Sequence, residues 1–211
     1  MNSAKFKQVV TSADELTRLI GEPSELALRK QLTELDPHMI RFIAESPFLL
    51  LGTVGRDGSC DVSPRGDAHG LAKVLDSRTL IIPDRRGNRR VDSLRNILET
   101  GRVGLLFLIP GLGETLRVNG RACVIRDEEV LAPLAAEGKV PTLGIAVEVE
   151  ECFLHCAKAL IRSKLWKARE GARETSLPCF AEILIDQTKL EGESVESLQR
   201  VIEDAYVNNL Y

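Results

Sequence analysis

Hydrophobic and polar positions divide the chain into three stretches of different periodicity. The first 45 residues read as helical. Thr11 or Ser12 offers an N-cap, acidic residues follow in the first turn, and Gly21 and Pro23 stop the helix. A short second helix is expected over 24–32. A third is expected from Asp36 to Glu45, where Asp36-Pro37 supplies a cap followed by Pro at the first helical position. From residue 46 the pattern shortens to that of strands. "FLLLGTV" (48–54) ends in "GRDGS", whose Asp57-Gly58 signals a hairpin back into "CDVSP" (60–64). Further strands are expected over 72–76, 79–83, 102–110, 114–125 and 142–155, with 102–110 apolar enough to be buried on both faces. One helix, "RVDSLRNILET" (90–100), interrupts them and closes on Gly101. The tail returns to helix over 156–168, then a flexible link, then an amphipathic helix over about 194–209.

Six or seven strands with hairpin-length links predict a small antiparallel β-barrel dressed with helices. The expected organisation is a helical extension (1–45), a barrel domain (46–168) and a helical tail packing on the barrel (169–211). Composition narrows the class further. The chain has 211 residues and a formal net charge of -3, with 44% hydrophobic, 28% charged and 4% aromatic residues, so aliphatic side chains must build the core. No apolar stretch approaches the length of a membrane span, and residues 1–16 lack a signal-peptide core, which makes the cytoplasm the default location. Five cysteines at irregular spacings fit a reducing compartment. A slightly acidic chain is a poor general nucleic-acid binder.

One stretch runs against that acidic balance. "PDRRGNRRVDSLRN" (83–96) holds five arginines around a glycine, between a strand and a helix. A helix N-terminus presents unpaired N–H groups, and guanidinium forks match phosphate oxygens. The stretch therefore reads either as a phosphate seat or as a solvated basic loop whose helix is capped by Asp92 or Ser93. Upstream, "CDVSPRGDAHG" (60–70) leaves a strand at Ser63-Pro64 and presents Arg65, Gly66 and Asp67. Gly66 permits unusual dihedrals or close approach of a flat ligand; "PRGD" is equally a favourable turn.

In order and spacing, "SPFLLLGTV", "DGSCDVSPRGD", "TLIIPDRRGNRRVDSLRNIL", "VGLLFLIPG" and "ETLRVNGRA" resemble the pyridoxamine 5'-phosphate oxidase-like superfamily of FMN-binding split barrels, from about Ser46 to Ile125 and more loosely to Trp166. The resemblance is to a bacterial branch rather than to the true oxidase, whose C-terminal tryptophan/arginine motif has no counterpart here. It implies an antiparallel split barrel with FMN in clefts shared by a homodimer. Arg89 and Arg90 would take the FMN phosphate, helped by Arg85, Asn88 and Arg65. The backbone at Ser63, Gly66 and Asp67 would follow the isoalloxazine edge, Ile82 and Pro83 would form its apolar wall, and Thr115 would contact the ring.

Near the end of the barrel, Cys152, His155 and Cys156 cluster at a strand-to-helix junction. With no fourth ligand nearby they read as structural thiols rather than a metal site. The resemblance places His155, Lys158, Arg162 and Trp166 on the substrate side of the cleft in the dimer mate. The expected function is an FMN-dependent oxidoreductase acting on a small molecule, with NAD(P)H as a reductant to test. Two alternatives stay open: a flavin-binding or stress-response module without turnover, and a split barrel holding deazaflavin or haem, the last with His155 or His69 as axial ligand.

Overall fold

The computed structural model describes residues 5–68, 70–167, 177–189 and 192–208. His69 lies outside them. Three helices lead in: α1 (Ala13–Ile20), α2 (Glu25–Arg29) and α3 (Pro37–Glu45). Their caps follow the sequence. Ser12 accepts from the Glu15 N–H at 3.1 Å and Asp36 from the Met39 N–H at 2.8 Å. Only α3 buries an apolar stripe, formed by Met39, Phe42 and Ile43.

The barrel strands are β1 (Phe48–Val54), β2 (Cys60–Gly66), β3 (Lys73–Asp76), β4 (Thr79–Pro83), β5 (Arg102–Leu108), β6 (Thr115–Ile125) and β7 (Gly144–His155). They form one antiparallel sheet in the order β2-β1-β5-β6-β7-β4-β3. Helix α4 (Asp92–Thr100) crosses from β4 to β5 and ends on Gly101, whose φ of 64° suits a residue without Cβ. After β6 come α5 (Glu128–Leu131) and a 3₁₀ turn (Ala132–Leu134). Helices α6 (Lys158–Ser163), α7 (Phe180–Thr188) and α8 (Val195–Asn208) complete the described residues.

The core is built from alternate strand positions. Leu49 and Leu51 of β1 pair in register with Phe107 and Leu105 of β5, and all four side chains are buried. Their neighbours Leu50 and Leu106 turn outward and are only partly buried. The apolar run in β5 is thus fully buried on one face alone, where its composition predicted two. The β6–β7 ladder shifts register between Asn119 and Gly120, and a Cβ on Gly120 would stand 1.9 Å from the Glu148 carbonyl oxygen.

Two side-chain ties hold the N-terminal segment to β7. The Cys152 thiol is buried and donates to the Glu34 carbonyl at 3.2 Å, and Lys30 Nζ donates to the Leu154 carbonyl at 2.8 Å. In the tail, helix 156–168 shortens to Lys158–Ser163, and the stretch expected as a link contains α7, which packs on α8.

The sheet does not close through hydrogen bonds. It curls until the end of edge strand β2 faces the end of β4, and two reciprocal ion pairs cross the split. Arg65 Nη1 meets Asp84 Oδ1 at 2.7 Å, and Arg85 Nη2 meets Asp67 Oδ2 at 2.5 Å. The strand pattern implied an antiparallel barrel, and the family resemblance implied that it is split; the structure shows both.

Candidate functional site

A cavity of about 940 Å³ opens at that split. One wall is the end of β2, with Ser63, Arg65 and Gly66. A second is the β4–α4 loop, from Pro83 through Asp84, Arg85, Arg86, Gly87, Asn88 and Arg89 to Val91. The third is the segment 139–143 that leads into β7. Seven residues expected at the site, Ser63, Arg65, Gly66, Pro83, Arg85, Asn88 and Arg89, therefore share one concavity, though β2 and the arginine loop are separated in sequence by a whole hairpin.

The local chemistry explains why the loop faces the cavity. Arg89 and Val91 both hold left-handed backbone, with φ of 61° and 54°. That region is uncommon for a side-chain-bearing residue and a true outlier for a β-branched one. Val91 is also the residue that precedes the first turn of α4, and it provides no side-chain cap. The expectation that Asp92 or Ser93 would cap this helix is corrected. Asp92 pairs with Arg90 at 2.8 Å, and the Ser93 hydroxyl donates to Asp61 at 2.5 Å. Among the described residues the helix start thus has no side-chain cap, beside a cationic loop.

The cations of the cavity differ in what else they touch. Arg65 is neutralised by Asp84, and its Nε is buried without a hydrogen-bond partner among the described residues. Arg85 binds Asp67 through two nitrogens and also donates to the Leu134 carbonyl at 2.8 Å. It thereby ties the loops after β2, β4 and β6 together. Arg86 and Arg89 make no ion pair among the described residues. A cavity with two uncommitted guanidinium groups, an orphaned guanidinium N–H and an uncapped helix start suits an anionic group.

Four expected contacts stand elsewhere. Arg90 turns to the opposite side of the loop, pairs with Asp92 and lines a separate cavity of about 720 Å³ bounded by the β1–β2 hairpin and α4. Ile82 is fully buried in the core and leaves the wall to Pro83; strand alternation sends its side chain inward. Asp67, expected to lend its backbone, is not among the residues lining the cavity, and its carboxylate pairs with Arg85. Thr115 is buried on β6, opposite His155 of β7, and reaches neither cavity.

His155, Lys158, Arg162 and Trp166 line neither cavity of their own chain. His155 stacks at a tilt on Phe153 with centroids 4.8 Å apart, and Phe153 in turn lies 4.3 Å from the Arg117 guanidinium carbon. Burial lowers the His155 pKa, and Arg117 and Lys30 lower it further. Trp166 Nε1 donates to the Leu112 carbonyl at 2.6 Å. Burial pushes the Cys152 thiol up to about 11, whereas the exposed Cys156 thiol is lowered, first by the Lys158 backbone N–H. Among the described residues no three His, Cys, Asp or Glu side chains stand together as a metal site.

Sequence reasoning missed the third wall. Lys139, Val140, Pro141, Thr142 and Leu143 lie some fifty residues beyond the arginine loop, and "GKVPT" carries no motif of its own. Only the β4–β7 pairing, in which Pro83 sits opposite Gly144, brings them to the cavity.

The chain belongs to the pyridoxamine 5'-phosphate oxidase family, whose model matches residues 35–156, more than half of its length. Solved structures with a similar fold include HupZ of Group A Streptococcus, 18% identical, covering 57% of this chain and 93% of that one at a TM-score of 0.48. An FMN-binding protein from Syntrophomonas wolfei is 14% identical and covers 56% and 88%, at 0.41. An F420 reductase is 20% identical and covers 56% and 98%, at 0.41. At such identities and scores these likenesses decide neither ligand nor activity. No curated protein matches the chain significantly.

Proposed function

We propose that the protein is an FMN-binding flavoprotein and an oxidoreductase acting on a small molecule, with its flavin at a homodimer interface. The observation that carries this reading is the cavity at the split, where Arg86, Arg89 and the uncapped start of α4 converge on a space that can hold a nucleotide-sized ligand. In this reading Arg89, with Asn88 and Arg86 beside it, holds the phosphate. Arg65 and the backbone of Ser63 and Gly66 border the ring, and Pro83 supplies the apolar wall. Bound there, FMN supplies the hydride or electron chemistry, and the protein supplies orientation, electrostatics and exclusion of water. No side chain of the chain need act as a general base.

The dimer rests on the outer face of the sheet. Phe48 and Leu50 of β1 pair in register with Leu108 and Leu106 of β5, and Val62 of β2 adds to the same face at 66% exposure. A second copy would cover these side chains. In this reading it would also bring Thr115 of one protomer toward the flavin ring of the other, with His155, Lys158, Arg162 and Trp166 on the substrate side.

Equilibrium titration of ligand-free protein with FMN, riboflavin, a deazaflavin and haem tests the reading, with light scattering to count protomers. FMN is expected to bind most tightly, to a dimer. Tighter binding of haem or of the deazaflavin would replace FMN as the ligand. FMN binding without reduction by NADH or NADPH, or turnover of any acceptor, would favour the non-catalytic flavin-binding module.

A further inference from the structure

Between the two cavities runs a chain of hydroxyl groups that ends on one carboxylate. Ser63 lines the large cavity and Asp61 the smaller one. Ser93, which is 3% exposed, stands between them. Its Oγ lies 3.0 Å from Ser63 Oγ and 2.5 Å from Asp61 Oδ2. From the other side, Asn96 Nδ2 donates to Thr53 Oγ1 at 3.0 Å, and Thr53 Oγ1 donates to the same Asp61 oxygen at 3.5 Å.

The direction of every hydrogen follows from counting. A carboxylate only accepts, and a serine hydroxyl has one hydrogen. Ser93 gives its hydrogen to Asp61, so in the Ser63–Ser93 contact Ser93 must accept and Ser63 must donate. The Ser63 hydrogen is then directed inward, and its lone pairs are what the cavity meets. Because each bond in such a series polarises the next, the carboxylate also raises the basicity of the Ser63 oxygen.

We infer that Asp61 and Ser93 are positioning residues that fix Ser63 as a hydrogen-bond acceptor for an N–H donor on the edge of the cavity ligand. This rests on the flavin reading and makes it more specific. A heterocyclic imide, an N–H flanked by two carbonyls, offers that donor. Flavin and deazaflavin rings both carry it, and haem does not.

The test compares FMN with N3-methyl-FMN, which lacks the imide hydrogen, in wild type, Asp61→Asn, Ser93→Ala and Ser93→Thr. Loss of one neutral hydrogen bond is expected to weaken FMN about three- to tenfold in Asp61→Asn and Ser93→Ala. N3-methyl-FMN should bind all variants alike, and Ser93→Thr, which keeps the hydroxyl, should restore FMN. An equal loss for both flavins would show that the chain serves only to build the fold, and would overturn the assignment. A second readout needs no ligand. The buried Ser93 hydroxyl proton, donated to a carboxylate, is expected as a slowly exchanging downfield proton resonance that Ser93→Ala removes and Asp61→Asn moves. Its absence overturns the chain whether or not FMN binds. Failure of wild type to bind FMN instead removes the flavin reading and leaves this resonance to decide the chain.

Discussion

Replacing Arg89 by alanine separates a phosphate seat from a merely basic loop. Arg89 lies on the cavity wall, makes no ion pair among the described residues, and stands beside the uncapped first turn of α4. A hydrogen bond to a charged group contributes about 1.5–3 kcal/mol, which corresponds to roughly 10- to 150-fold in affinity. The Arg89 side chain is exposed, so solvent screening places the effect at the lower end, about tenfold. Arg90, the next residue, faces the other cavity and is paired with Asp92. Arg90→Ala should therefore change FMN binding by less than about twofold, the scale of an exposed pair. The assay is quenching of flavin fluorescence on titration into ligand-free protein, with FMN and riboflavin run in parallel. Riboflavin lacks the phosphate and should bind both variants and wild type alike. The FMN loss in Arg89→Ala should also shrink at high salt. Equal losses for FMN and riboflavin, or a larger loss from Arg90 than from Arg89, would refute the assignment.

Four other perturbations probe the frame around the site. Val91→Gly removes the strain of a β-branched residue at φ 54°; net of the added chain entropy, it should raise stability by about 0.5–1 kcal/mol and the melting temperature by about 1–4 °C. Gly120→Ala forces a Cβ to 1.9 Å from the Glu148 carbonyl oxygen; urea titration should show a loss of about 3 kcal/mol or more, beyond the usual range for a single substitution. Thiol reagents at neutral pH should label Cys156 first and leave native Cys152 unmodified, because burial raises the Cys152 thiol to about 11 while the Lys158 N–H lowers that of Cys156. His155 is lowered from its ordinary 6.5 by burial, Arg117 and Lys30, so the unfolded chain takes up its proton first. Stability should then fall as pH drops below that value, and His155→Gln should make the fall shallower in urea titrations between pH 7 and 5.

Much of this architecture was legible because it follows local rules. Ser12 and Asp36 act as caps where their side chains can reach an N–H three residues on, and Asp57-Gly58 turns the first hairpin. The arginine loop was read as a candidate site from its order after "SPRGD" and a hairpin strand, and the structure brings it and the end of β2 to one cavity. What escaped was what depends on direction rather than position. Arg89 and Arg90 are adjacent in sequence, yet left-handed backbone at Arg89 and again at Val91 sends their side chains to opposite cavities. Ile82 looked like a wall because it is apolar, but strand alternation points it into the core. The 139–143 wall and the Ser63–Ser93–Asp61 chain depend on long-range register, which no local pattern carries. Helix α7 was missed because "FAEILIDQT" follows a Pro-Cys step and has little amphipathic contrast.

If the split-barrel cavity holds a phosphorylated flavin, as proposed, the chromophore itself is observable. The most direct measurement is the visible absorption spectrum of the purified protein before and after saturation with FMN, with the released chromophore identified by mass. The expected result is a protein-bound flavin band, one FMN per chain, and release of FMN rather than riboflavin on denaturation. A colourless protein that takes up no FMN, or one whose chromophore is haem, would contradict it.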